Sequence, residues 1–473
     1  MPILEDNLRE CTTNLQACVD EAGTSSATTT KTYNINKSPP VSSLPPEILA
    51  SIFRTAQPRR RLRHKIPFEV VVSHVSSHWR GVILTTPFLW TSIDVYSIPS
   101  LVWTQIYLER SKKCPVDVRL DLHHIEKRYN RHSTLLVKNI LDVIVPHIDR
   151  WRCLLIFTLL EKTAYNILSH FYHLAAPVLQ RLTVNVDVGA SLDDAHFDSS
   201  IFSSAPRLHF VRSEALRCCW LPLSGLTTLH LQRSFHIAPL GYNQLLEIIT
   251  TPHSLANLSI HGTIDSLDWP IHDSPAFEMN SLRSLQFVGN STCVSKFLLS
   301  VSAPQLHSLW FECSPYENFL LLRESPQTSL GLIKFPALRY LTFQRCDYNY
   351  LSRVFPYVSY LHVSYCSTFL QLISFEGTLT GETTSHWPHL HTVAIRTLHD
   401  AHHVQTSATI SRLVSSRINA GRPIYKLLLD RDLLTILEGV AFLRENIQME
   451  LLSTSNYLEP WWIMAHEDPG DRI

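Results

Sequence analysis

The sequence predicts a mixed α/β protein: a small all-helical module, then an irregular repeat solenoid whose short parallel strands form a curved sheet with helices on the convex side. Three observations predict it. Residues 44–90 carry apolar positions at helical spacing, interrupted by prolines. From Thr91 onward, strand-like alternation and helix-like periodicity take turns. From Leu179 to Leu429, one phrase, apolar-x-x-apolar-x-apolar, recurs about ten times.

Residues 1–40 read as a weakly structured leader and linker. Leu4, Leu8, Cys11 and Leu15 suit one face of a short helix, and the polar run from Glu21 to Lys31 has nothing to bury. The helical module takes residues 41–95. Pro45 and Pro46 suit a first helical turn, where a missing N–H costs nothing, with Ser43 as a cap. Ile48, Leu49, Ile52 and Phe53 fall on one helical face. Next comes a basic run, Arg59 to Lys65. A solvated loop is the simpler reading of it; a nuclear address or an acidic-partner contact is the other. Phe68, Val71, Val72, Val75, Trp79, Val82 and Ile83 then share one stripe, which predicts a single helix. Pro87-Phe-Leu-Trp90 predicts a tight turn with large apolar anchors. So small a unit has little core of its own and should lean on a partner and on the first repeats of the array.

The array takes residues 96–430. Ser92–Val95 reads as its first strand, 100–110 as a helix, and Val116 to Leu122 as a half-buried strand. Leu135 to Ile148 reads as a helix, and Leu154–Phe157 as a strand. The explicit phrases begin at Leu179, Leu226, Leu255, Leu282, Leu306, Leu338, Val358 and Leu390, with looser copies at Leu208 and Ile424. Their spacing runs from 18 to 34 residues. Residues 431–473 are expected to cap the open end, with Trp461 and Trp462 as cover.

These patterns carry two resemblances. The phrase, with Asn290, Cys346 and Cys366 three residues beyond it, resembles the leucine-rich repeat, in which Asn or Cys satisfies backbone groups where the strand ends. The segment Leu44-Pro-Pro-Glu-Ile-Leu49, Ile52-Phe53, Val75-Ser-Ser-His-Trp79-Arg80 and Thr86-Pro-Phe-Leu-Trp90 resembles an F-box. The combination is similar to the F-box proteins of mushroom-forming fungi. It implies a substrate-recognition adaptor of a cullin-based ubiquitin ligase, with no catalytic residue of its own. By position, the resemblance assigns Leu44, Pro45, Ile48, Ile52, Val75, Trp79 and Trp90 to contact with the small adaptor subunit, and through it the cullin. The family often has Cys and basic residues where this chain has Ser76-Ser77-His78. The alternative is a ligase-independent repeat scaffold with a vestigial F-box.

Between the last two apolar positions of each phrase, one residue should point outward onto the sheet face. That column reads Thr183, His230, Ser259, Gln286, Trp310, Thr342, His362 and Ala394. Trp310, Tyr340, Tyr360 and His362 come from three consecutive copies and are expected to cluster as a protein-binding patch for an unknown substrate. The other reading is that helices or loops cover them.

Composition sets the outer limits. Apolar residues make up 45% and charged residues 17% of the 473, enough to bury a large core. With 41 acids against 41 Lys plus Arg, no global field favours nucleic acid or membrane partners. No apolar run approaches the roughly 20 residues of a membrane helix, and the start lacks a secretory signal, so a cytoplasmic or nuclear location is expected. The ten cysteines make no CxxC pair, and reduced thiols are the simplest reading. No HExxH, glycine-rich phosphate loop or GxSxG elbow occurs, so no cofactor, metal or enzymatic activity is expected.

Overall fold

In the computed structural model, the structure describes residues 44–58, 66–97, 100–129, 133–188, 201–214, 224–232, 241–262, 277–313, 334–344, 351–364, 387–396 and 403–452. The leader, Ser43, the basic run 59–65, Cys346, Cys366, Trp461 and Trp462 lie outside them. The fold is mixed α/β, built on parallel strands, and the chain divides into two compact units at Leu208/His209.

The first unit opens with α1 (Pro46–Ala56), α2 (Phe68–Ser73) and α3 (Ser77–Thr85), then a 3-10 turn, Pro87–Trp90. The single helix expected over 68–83 is therefore two. Ser76 is extended at the break, and its hydroxyl accepts the Trp79 backbone N–H at 3.1 Å, which starts α3 afresh. Strand β1 (Ser92–Val95), helix α4 (Ser100–Arg110) and strand β2 (Val116–Asp121) come next, as the alternation predicts. Helices α5 (His123–Tyr129) and α6 (Ser133–Ile144) lead to a 3-10 stretch over Val145–Arg150. Then come β3 (Trp151–Leu160), α7 (Glu161–Ser169), β4 (Leu174–Ala175), β5 (Arg181–Val188) and β6 (Phe202–Ser204).

β1, β2, β3 and β5 pair in that order, all parallel. Ile93, Val118, Leu154 and Leu182 stand in one register row, and Val95, Leu120, Ile156 and Val184 in the next. All eight are buried, because strand residues two apart share a face. Arg150 secures the end of α4: its guanidinium donates to the Leu108 carbonyl at 2.6 Å and to the Ser111 hydroxyl at 2.8 Å.

The second unit carries β7 (Phe210–Glu214), β8 (Thr228–Gln232), α8 (Tyr242–Thr250), β9 (Asn257–His261), β10 (Phe277–Glu278) and β11 (Ser284–Gly289). These lead into α9 (Ser291–Ser300), β12 (Val301–Ser302), β13 (Ser308–Cys313), β14 (Tyr340–Gln344), α10 (Leu351–Val354) and β15 (Tyr360–Ser364). The unit closes with β16 (Thr392–Arg396), α11 (His403–Asn419), β17 (Lys426–Leu429), α12 (Arg431–Glu438), α13 (Ala441–Asn446) and β18 (Gln448–Leu451).

The pairing order β7-β8-β9-β11-β13-β14-β15-β16-β17-β18 is parallel throughout. The middle apolar residue of each phrase forms one row: Leu229, Leu258, Leu285, Leu309, Leu341, Leu361, Val393 and Leu427. The last forms another, in which Phe311 and Phe343 stack with ring centroids 6.0 Å apart. Asn290 does not turn back onto its strand. It caps α9, its side-chain oxygen accepting the Cys293 N–H at 2.7 Å. Beyond residue 430 the sheet gains one more parallel strand, β18.

Candidate protein-docking faces

α1 has two apolar faces. Leu49, Ala50 and Phe53 are buried, while Ile48 and Ile52 are 50% and 46% exposed. The single face expected for these residues is thus split, one part packed and one presented. α1 and α2 both pack on α3, and the Phe53 and Trp79 rings meet at 5.0 Å. Trp79 is half-buried in that contact, Leu44 is half-buried, Pro45 is exposed, and Val75, in the break before α3, is 60% exposed. Val71 is exposed as well, which the stripe pattern did not separate from its buried neighbours, and so is Ile66, just ahead of the stripe.

Trp90 belongs elsewhere. It is 1% exposed, its indole N–H donates to the Ile83 carbonyl at 2.9 Å, and its ring meets that of Tyr107 at 4.8 Å. The Arg110 guanidinium lies 4.4 Å from the Trp90 ring centre, a cation–π contact. Trp90 is therefore the joint between the helices and the first strand–helix unit, and burial takes it out of the presented set.

Glu69 completes that joint. Its buried carboxyl accepts from the Tyr107 hydroxyl at 2.6 Å and from the Gln57 amide, which also donates to the Leu89 carbonyl at 3.1 Å. Buried polar groups persist where such partners are supplied. Nothing in the sequence marks Glu69, because a lone acid on a helix reads as a solvated position.

The sheet face of the second unit is more closed than its phrase implies. Thr342 lies between Trp310 and His362 in register, and Tyr340 pairs with Tyr360. The Tyr340 and Tyr360 rings are 5.8 Å apart. Trp310 and Tyr340 are half-buried, but Tyr360 and His362 are only 7% and 4% exposed. Tyr360 joins Ala394 and Leu428 in an apolar cluster against which Tyr340 and Leu452 pack. The four residues stand on three neighbouring strands, with the Tyr340 and Tyr360 rings in contact, and two of the four are covered, not presented. His230, Ser259 and Gln286 of the same column are also buried, with the Ser259 hydroxyl donating to Gln286 at 2.7 Å.

Burial pushes the His362 imidazole down to about 4, with the Arg396 charge adding to the effect. His123 moves the other way, its value raised by a 2.9 Å hydrogen bond to Asp121, with Asp187 at 3.2 Å. Burial raises the Cys153 thiol to about 12, which disfavours its thiolate at neutral pH. Cys114, Cys153 and Cys293 are free thiols.

Among the described residues, no group of three or more His, Cys, Asp or Glu is placed to hold a metal ion. Nor is any described helix long and apolar enough to cross a membrane. No family model and no curated protein matches this sequence, so its own residues carry the functional reading.

Proposed function

We propose that this chain is the substrate-recognition subunit of a cullin-based ubiquitin ligase, its helical module an F-box and its parallel array an irregular leucine-rich-repeat solenoid. The supporting observation is the exposure of Pro45, Ile48, Ile52 and Val75. A module with so little core exposes large apolar side chains at the positions that the F-box resemblance assigns to the adaptor. Exposed apolar anchors on a helix are what a helix-in-groove contact buries. In this reading the array holds a protein substrate, and the ligase gains rate by effective concentration alone.

The test is a pull-down of purified full-length protein with the adaptor subunit, wild type against Leu44→Ala/Pro45→Ala/Ile48→Ala, with circular dichroism on both. Binding that the folded triple variant loses is the expected result. No binding by folded wild type overturns the ligase reading and leaves a repeat scaffold.

A further inference from the structure

The strand starts of the second unit form a continuous rim. Each residue just ahead of a strand passes a backbone hydrogen bond to the next. Arg283 N–H donates to the Ala256 carbonyl at 2.8 Å, His307 to Arg283 at 2.8 Å, and Arg339 to His307 at 3.0 Å. Ser359 then donates to Arg339 at 2.9 Å, His391 to Ser359 at 3.0 Å, and Tyr425 to His391 at 2.9 Å. Arg283, His307, Arg339, His391 and Tyr425 are all exposed.

A second row lies beside the first. Exposed His253, Tyr357 and His389 each come directly after a proline. Tyr357 and His389 rings are 5.7 Å apart, and the Arg339 guanidinium lies 5.6 Å from the Tyr357 ring centre. Local bonds hold several of these groups in place. Arg339 donates to the Pro336 and Leu338 carbonyls at 3.0 and 2.9 Å, and His307 Nδ1 meets the Gln305 carbonyl at 2.7 Å.

The charge of this rim is one-sided. Segments 252–257, 280–284, 304–308, 336–340, 356–360, 388–392 and 422–426 contain Arg283, Arg339, Arg422, Lys426 and four histidines, with no Asp or Glu, and the last segment, 444–448, adds Arg444 and Glu445, one charge of each sign. The whole chain, by contrast, balances 41 acids with 41 Lys plus Arg. Lys426 is neutralised by Glu450 at 2.7 Å, which leaves the three arginines as the cations of the rim. Glu278, just ahead of the second segment, is bonded by the Asn280 amide at 3.2 Å.

We propose that this rim binds an acidic, extended segment of another polypeptide. Guanidinium groups take carboxylates in bidentate pairs, and the exposed tyrosines offer apolar contact between them. From Arg283 to Tyr425 the rim crosses six strands, about 24 Å at the usual strand spacing of about 4.8 Å. An extended peptide covers that in about seven residues. Three arginines on a chain with 41 acids and 41 Lys plus Arg fit an acidic peptide better than nucleic acid, which is bound by basic domains through many phosphate contacts. The proposal stands whether or not the helical module recruits a ligase, since the rim is its own surface.

The experiment is fluorescence anisotropy on the full chain with a labelled peptide of alternating Glu and Ser. A Lys/Ser peptide and an oligouridylate serve as comparison probes. Wild type is expected to bind the Glu/Ser peptide and not the Lys/Ser peptide. Arg283→Glu/Arg422→Glu should weaken binding by about tenfold or more, with a steep loss in added salt. Arg431→Glu, which reverses an exposed arginine beyond the far end of β17, should leave it unchanged. Arg283→Ser/Arg422→Ser adds no negative charge and gives a second reading if the double reversal fails to fold. No binding by folded wild type overturns the proposal, as does unchanged affinity in the rim variants. Tighter binding of the oligouridylate at the same salt overturns it in favour of a nucleic-acid surface.

Discussion

His362 and Arg417 are polar side chains that the fold buries, and each gives a measurable consequence. His362 holds a proton less readily folded, at about 4, than unfolded, at about 6.5. Its contribution to stability is therefore complete above pH 6.5 and lost as pH falls from there towards 4. The gap converts to about 3 kcal/mol across that window. His123 has the opposite sign, because its raised value gives stability that is present in acid and lost as pH rises. Urea midpoints from pH 7.5 down to pH 4 should thus fall more steeply for wild type than for His362→Gln. Parallel curves would refute the assignment. Arg417 is fully buried and donates to three carbonyls: Trp387 at 3.1 Å, Leu390 at 3.3 Å and Arg422 at 3.1 Å. These ties hold α11 to the start of β16 and the approach to β17. Arg417→Met removes every donor at once and should cost about 3 kcal/mol or more, read as a shifted denaturation midpoint. In the sequence, Arg417 is one more basic residue near a helix end, and only the packing reveals its role.

At the scale of elements, the helix break at His74–Ser76 shows what a hydrophobic stripe can and cannot say. Apolar residues from Phe68 to Ile83 keep helical spacing across the break, so periodicity alone joins α2 and α3. What ends the first helix is local. His74 N–H bonds back to the Val71 carbonyl at 3.1 Å and Val75 N–H to the Val72 carbonyl at 3.2 Å, and Ser76, extended, caps the next helix. The signal was a serine in a run that also carries Ser73 and Ser77, which hides the cap. Ser76→Ala should therefore cost about 1 kcal/mol and speed amide exchange at Trp79 in the first turn of α3. Unchanged exchange there would mean that packing on α1 and α2, not the cap, sets the start. The strands were far more legible. All ten phrase copies fall on strands, from β5 to β17, because each phrase writes a half-buried strand with its own register. The Asn290 position was legible as special but not in its role. A side-chain oxygen after a strand serves equally as a strand-end bridge or as the cap of the next helix, and α9 begins one residue later.

At the scale of the molecule, one short segment divides between exposed and buried apolar residues, and the sequence does not mark the division. Leu44 to Trp90 carries large apolar residues on both sides of its basic run, so a motif match assigns them to one role. Burial separates them: Ile48 and Ile52 face outward, while Leu49, Phe53 and Trp90 are core. The sheet-face residues divide in the same way, for Tyr360 and His362 keep the outward parity of their strand yet are covered. Parity gives a direction, and coverage depends on chain far away in sequence. Paired variants test the division directly. Ile48→Glu/Ile52→Glu changes exposed side chains only and should leave the denaturation midpoint within about 0.5 kcal/mol of wild type. Under the proposed function, the same variant should lose the adaptor subunit, because two new charges have to be desolvated in an apolar contact. Trp90→Ala removes a buried ring, its hydrogen bond to Ile83 and its contacts with Tyr107 and Arg110, and should cost about 3–5 kcal/mol. Whatever fraction of Trp90→Ala remains folded should keep its affinity for the adaptor. The opposite pattern, with unfolding in the Ile48/Ile52 variant and weakened adaptor binding by folded Trp90→Ala, would return Trp90 to the contact surface and place the two isoleucines in the core.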